Sequence, residues 1–313
     1  MTDYGVLFRE LAVPRLVGTP NHVKVRELLT RELVARGFSV EEHAFSGRPA
    51  RALLGSPRVI TGVNLIAKPQ AKAWARQSLS LRTAPAGPTL QGGNNPAVWL
   101  VAHYDSKGQP VSMLIRLIGF LSLVIGLVWL PLGGGSTLPI IPLAVGLSIL
   151  LQNRVTDNSP GAVDNATALV AVFMTLDQLP RDAEVGVVFP DAEEFGLVGA
   201  RALAAERAAL FADAAIINLD GLDDVGTPIA FLHRPGAIGN AVARSLNARR
   251  ARWLPVIVDG IALRRVAREC VSILKGNART MSIVHTPKDI VARVRLDGAA
   301  SVAAGLARVL RAG

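Results

Sequence analysis

Two runs without a single charged residue, 117–132 and 138–151, interrupt this chain, with "GGGST" between them as a hairpin turn signal. A helical hairpin at the surface of a soluble domain keeps a polar face, and neither run has one. Each run is a little short of the ~20 residues that a straight transmembrane helix needs. Two membrane arrangements therefore stand: a hairpin that spans with the help of its flanks, and one that enters and returns from the same leaflet. The soluble alternative is a helical pair buried in a dimer or against the domain. The missing polar face favours the lipid bilayer as partner of residues 111–152. The remaining segments, 1–110 and 153–313, then form one domain with an insertion.

Charge sets an expected orientation. Lys107, Arg116 and Arg154 flank the apolar arms and the turn carries no charge, so the main domain is expected on the cytoplasmic side of the cell membrane. The first 16 residues hold no apolar signal core and no small-residue cleavage site, which agrees. A formal net charge of +10 also favours an anionic leaflet. No dense basic run interleaves with aromatics, so nucleic acid is not expected as a partner. The single cysteine, Cys270, excludes an internal disulfide and reads as a small buried thiol.

Outside the insertion, apolar runs alternate with amphipathic ones. Residues 22–36 predict a helix stopped by Gly37, followed by strands near 39–45 and 59–67. Residues 68–96 are rich in Pro, Gly and polar side chains and predict mostly surface loop. "AVWLVA", "EVGVVF", "AAIINL", "VSIL" and "MSIV" predict short buried strands; 165–179, 197–211, 236–252 and 297–312 predict helices. The alternation implies an α/β fold with a mostly parallel central sheet and helices on both faces.

Acids and histidines recur just beyond these strands or just before a helix. His103 and Asp105 follow "AVWLVA", Asp164 precedes a helix, Glu193 and Glu194 follow "EVGVVF", Asp220 follows "AAIINL", and His285 follows "MSIV". Ligands of open α/β sheets bind at the carboxyl ends of the strands, so these residues can converge. Imidazole and carboxylate are the donor types that hold zinc. Alone, each is an ordinary charged or turn residue; repeated at the ends of successive apolar strands, they form a pattern. His22, His43 and His233 lie outside it and are expected at the surface.

"AHYDS", "PGAVDNATA", "PDAEEFGLVGAR", "NLDG" and "HTPKD" occur in the order and approximate spacing that resemble the M28 family of zinc aminopeptidases. "LVGTPNHVKVRELLTRELVARGFSV" resembles that family's N-terminal region, so the likeness covers most of the chain apart from the apolar insertion. The resemblance implies two zinc ions per chain: His103 and Asp220 on one, Glu194 and His285 on the other, and Asp164 bridging. It implies Glu193 as general base and Asp105 as the carboxylate that fixes His103, acting on a peptide or other amide substrate. Val163 departs from the family, where many members carry a second Asp. Glutaminyl cyclases resemble the family but use one zinc, and the intact five-ligand set speaks against that chemistry. A catalytically inactive membrane scaffold is the other alternative, and retention of Glu193 and all ligands speaks against it. Carboxylate-rich sites also accept manganese or cobalt. Side-chain preference and oligomeric state are left open.

Overall fold

The structure, a computed structural model, describes residues 2–49, 57–70, 95–180, 183–252 and 256–311. Helix α1 (Tyr4–Leu11) opens on Asp3, whose carboxylate accepts from the Gly5 and Val6 amides. Helix α2 (Pro20–Ala35) opens on Thr19 with proline in its first turn. Strands β1 (Phe38–Gly47), β2 (Ile60–Pro69) and β3 (Val98–Val101) precede the insertion, which forms helices α3 (Met113–Leu132) and α4 (Ile140–Leu151). Then follow α5 (Thr167–Leu176), β4 (Val185–Phe189), α6 (Val198–Glu206), β5 (Ala215–Leu222), β6 (Thr227–Arg234) and α7 (Ala237–Ser245). The chain closes with β7 (Arg249–Ala251), α8 (Gly260–Leu263), β8 (Glu269–Gly276), α9 (Ala278–Ile283) and α10 (Asp297–Arg311).

All eight strands form one sheet in the order β1-β2-β4-β3-β5-β8-β6-β7. Its centre, β4-β3-β5-β8, is parallel, as expected. Both margins add antiparallel pairs, β1 with β2, β2 with β4 and β6 with β8, so the sheet is mixed. Side chains alternate along the central strands between two cores. Val98, Leu100 and Ile217 join the layer of α1, α2, α5 and α10. Trp99, Val101 and Ile216 join the opposite layer, with Leu203 of α6 and Leu263 of α8. Both faces are therefore covered, and only the carboxyl ends of the central strands are left to build a site.

Several expectations need correction. "MSIV" is no strand: it closes α9, which Asn277 and Thr280 start with a reciprocal capping box. The helix expected over 236–252 ends at Ser245, and Arg249–Ala251 pairs with β6 instead. Strand β6 and helix α1 have no counterpart in the sequence reading. Most of the expected 68–96 loop, residues 71–94, lies outside the described residues.

The histidines expected at the surface are also wrongly placed. His22 is buried, stacked on Tyr104 at 4.9 Å and 2.8 Å from Asp191. His43 is buried between Asn64 and Glu206, and His233 is half-buried on the Ser272 hydroxyl. Each has a polar partner brought from at least 21 positions away, which no local pattern reports. Cys270 is buried with its thiol directed to the Gly260 carbonyl, and burial pushes its pKa up to about 12.

In the insertion, α3 and α4 pack together through glycines. A Cβ on Gly119 would come within 2.7 Å of Ile149, and one on Gly146 within 2.7 Å of Leu123, so only hydrogen lets the backbones approach. Apart from these glycines the pair is largely exposed: Phe120 by 58%, Leu127 by 61% and Ile141 by 61%. Helix α3, with 20 residues, is long and apolar enough to cross a membrane; α4, with 12, is not. At the base of the insertion, Gly108 and Thr156 exchange backbone hydrogen bonds of 2.8 and 2.9 Å, so its two ends are neighbours.

Arg15 fastens the loops on either side of this base. Fully buried, its guanidinium donates to the carbonyls of Tyr104 (2.7 Å), Pro160 (2.6 Å) and Gly161 (3.1 Å), and to those of Leu11 and Val13. Arg15→Met would leave these acceptors buried without a donor. The variant is expected to lose on the order of 3 kcal/mol of stability, measured by denaturant unfolding against the parent.

Candidate metal centre

Each acidic or histidine position singled out in the sequence reaches the same end of the sheet. His103 and Asp105 lie just past β3, Asp220 near the end of β5, and Glu193–Glu194 just past β4. Asp164 stands before α5, and His285 follows α9 rather than a strand. The donor atoms form two groups, His103–Asp164–Asp220 and Asp164–Glu194–His285, each within a span of 4.8 Å, and Asp164 belongs to both. Its Oδ1 lies 3.2 Å from His103 Nε2 and its Oδ2 lies 2.9 Å from His285 Nε2. Asp220 Oδ1 is 4.0 Å from His103 Nε2, and Glu194 Oε1 is 3.0 Å from His285 Nε2.

Hydrogen bonds account for the backs of these residues and leave their fronts open. His103 Nδ1 donates to the Asp105 carbonyl at 3.2 Å, so in the neutral ring the lone pair is on Nε2. Among the described residues, His103 Nε2, Asp164 Oδ1 and Glu194 Oε1 are buried without a hydrogen-bond partner. Buried polar atoms are rarely left so, and a cation is what this donor set fits.

The supporting contacts reach further than the sequence suggested. The Asp105 carboxylate accepts from the Glu193 amide (3.0 Å) and the Glu194 amide (3.2 Å), so one residue steadies both His103 and the di-glutamate turn. That turn follows Ala192 in the left-handed region (φ 56°), a conformation that costs an alanine energy and is held by its surroundings. Asp191 helps: its Oδ1 accepts from Ala192 N and lies 2.8 Å from His22 Nε2, and its Oδ2 accepts from Val63 N and Tyr104 Oη. Asp289, quoted in the sequence only as part of "HTPKD", accepts from the Val163 and Asp164 amides at 2.8 and 3.2 Å. Lys107 Nζ lies 3.2 Å from Glu194 Oε2. The sequence reading missed Asp259 altogether, although a lone acid in "VIVDGIAL" was a signal. Both of its oxygens are buried without a hydrogen-bond partner among the described residues.

The electrostatics follow from many acids in a dry space. Burial raises Glu193 well above the usual range, the charges of Asp220, Glu194 and Asp259 adding to the rise while His103 opposes it. Burial likewise pushes Asp220 up to about 7 and Asp259 up to about 8, against the pull of His103. For Asp164 burial is outweighed by His103 and His285, which hold it well below its ordinary value. For Glu194 burial is outweighed by His285 and Lys107, which bring it to about 2. His103 resists the effect of burial through Asp105 and Asp164 and stays raised. One pair of acids is thus ready as ligands, and the others hold protons until a cation arrives.

A family model for "Peptidase family M28" matches residues 88–310. The chain belongs to that family. Comparison with curated proteins found no match. Among solved structures, the chain is similar to glutaminyl cyclase from Porphyromonas gingivalis, at 15% identity and TM-score 0.62, covering 98% of this chain and 95% of that one. It is similar to an aminopeptidase from Aneurinibacillus sp. strain AM-1, at 10% identity and TM-score 0.61, covering 98% and 92%. A Zn-dependent exopeptidase from Parabacteroides distasonis follows at 15% identity and TM-score 0.60, covering 98% and 96%. At these identities the likeness establishes the shared fold.

A pH dependence follows from the raised acids. Asp220 and Asp259 hold protons more tightly folded than unfolded, so their contribution to stability is present at low pH and lost as pH rises through about 7 and 8. Raised His103 acts in the same direction. Glu194 acts oppositely, but its loss falls toward pH 2, outside the neutral window. Metal-free protein is therefore expected to lose Tm between about pH 4, the unfolded carboxylate range, and about pH 8, while zinc affinity rises over the same window because binding must expel those protons. Thermal unfolding in chelator and zinc competition at stepped pH measure both; a flat Tm contradicts the assignment.

Proposed function

We propose that this chain is a membrane-tethered aminopeptidase that uses two zinc ions to hydrolyse the N-terminal amide bond of a peptide. The observation that carries the reading is the sharing of Asp164 by two donor groups, with each of its oxygens facing a different imidazole. His103 and Asp220 would hold one ion, Glu194 and His285 the other. Bound zinc supplies Lewis-acid polarisation of the scissile carbonyl and makes water more acidic. Glu193, next to a ligand in the turn that Asp105 fixes, receives the water's proton on its carboxylate and passes it to the leaving amine. A cation in the neighbouring donors would offset the repulsion that raises Glu193 and return it to the charged form a base requires.

The second reading is glutaminyl-cyclase-like chemistry on the same fold, favoured by the similarity to the Porphyromonas gingivalis enzyme. A panel of aminoacyl amides set against peptides with N-terminal glutamine separates the two. Glu193→Gln is expected to lower turnover of the amides by roughly 10²–10⁴-fold while metal content stays near two per chain, and chelation should abolish the parent's activity. If the variant instead loses metal, Glu193 is a ligand and its role belongs to Glu194.

The insertion supplies the tether. Its apolar side chains face outward, and the chain has no charge between Arg116 and Arg154. At ~1.5 Å per residue, α3 reaches ~30 Å but α4 only ~18 Å. That asymmetry favours a hairpin that dips into the bilayer and returns over two complete crossings. Lys107, Arg116 and Arg154 on the domain side favour an active site at the cytoplasmic surface. The parent chain is expected to sediment with membranes and resist alkaline wash. Replacing residues 112–152 with a short Gly/Ser link should give a water-soluble protein that still binds metal, because Gly108 and Thr156 are already paired and loop closure costs little. A parent that is soluble without detergent would mean that protein, not lipid, covers the helical pair.

A further inference from the structure

Asp105 steadies both His103 and the Glu194 amide, but the other supports of the two donor groups come from different parts of the chain. His103 is held by Asp105, and Asn165 donates to the carbonyls of His103 and Leu219, the latter one residue before Asp220. These supports belong to the sheet ends and the turn before α5. Glu194 and His285 are held from the stem of the insertion. Lys107 Nζ pairs with Glu194 Oε2 at 3.2 Å and also donates to the Glu194 carbonyl. The Gln109 amide donates to the His285 carbonyl at 2.7 Å, and its side-chain amide donates across the stem to Asn153. Arg116, in the first turn of α3, lies against His285 Nδ1.

This arrangement has a chemical consequence. With Oε2 and the main-chain carbonyl of Glu194 engaged by one ammonium, the side chain cannot turn away, and Oε1 faces His285 without a hydrogen-bond partner among the described residues. Lys107 thereby presents Glu194 through a single oxygen. Gln109 does the equivalent for the backbone of His285, which sits in the left-handed region at φ 63° and needs such a restraint.

We propose that Lys107 and Gln109 are positioning residues for one ion of the pair, the one held by Asp164, Glu194 and His285, and that the other ion is supported by the peptidase fold alone. The inference rests on the dinuclear reading above. It makes the stem of the apolar hairpin part of one metal site, so the insertion is attached to the site chemically as well as spatially.

The test is a zinc titration of metal-free, full-length protein in detergent against a chromophoric chelator, resolved into two binding steps. Lys107→Gln removes a charge and Gln109→Ala does not. Both are expected to weaken the same step by about tenfold or more, the range for supporting partners of metal ligands, and to leave the other within about twofold. The unchanged step reports that the fold is intact. The affected step should be the one that His285→Ala abolishes and Asp220→Ala retains. Equal weakening of both steps, or of neither, overturns the inference. A tighter step in Lys107→Gln also overturns it, because the ammonium would then compete with the ion. A parent chain that takes fewer than two ions overturns the dinuclear reading itself, and the inference with it.

Discussion

Asp164 is a largely buried carboxylate with an imidazole 3.2 Å or less from each of its oxygens, and that juxtaposition organises the surrounding structure. A buried anion needs compensation, and the two histidines supply it without the metal. Its backbone is fixed in turn: Asp289 accepts from its amide, and Arg15 holds the Pro160 and Gly161 carbonyls just before it. His103 comes from the end of β3 and His285 from the loop beyond α9, so Asp164 fixes how those two regions meet.

The parallel centre of the sheet explains why such a meeting is possible. Strands β4, β3 and β5 lie side by side and run parallel, bringing the Glu193–Glu194 turn, His103 and Asp220 together from positions up to 117 residues apart. Asp105 couples two of these ends directly, accepting from both glutamate amides while its own carbonyl faces His103. The dryness of the site then separates its acids. His103, His285 and Lys107 hold Asp164 and Glu194 low, whereas burial and the neighbouring acids push Asp220 up to about 7 against the pull of His103.

The apolar insertion lies between His103, just past β3, and the Asp164 turn, so candidate donors stand on both sides of it. A paired stem at Gly108 and Thr156 lets 47 intervening residues leave and return without moving the flanking motifs. The apolar helices face outward over most of their length, and their only buried residues are the glycines at which they touch. Lipid contact and catalysis thus share a boundary in the proposed enzyme.

Much of this was legible in the sequence, because it is written at short range. Alternating apolar runs mark strands and helices, and acids and histidines at strand ends mark a candidate site. The five motifs carried the candidate donor set and the family likeness. What sequence could not supply is pairing across distance. Nothing near His22 or His43 announces Asp191 or Glu206, so burial of those histidines was invisible. Strand β6 was missed, and the capped α9 was misread because a short apolar run fits helix and strand alike until neighbours or a cap decide. Asp259, Asp289 and Lys107 acquire their meaning only from groups that the non-sequential strand order brings beside them. The sequence determined which chemistry the chain can present, since residue type and local period set that. The tertiary structure decided which groups face one another in a dry space, and so which of them hold protons and which are free to hold a cation.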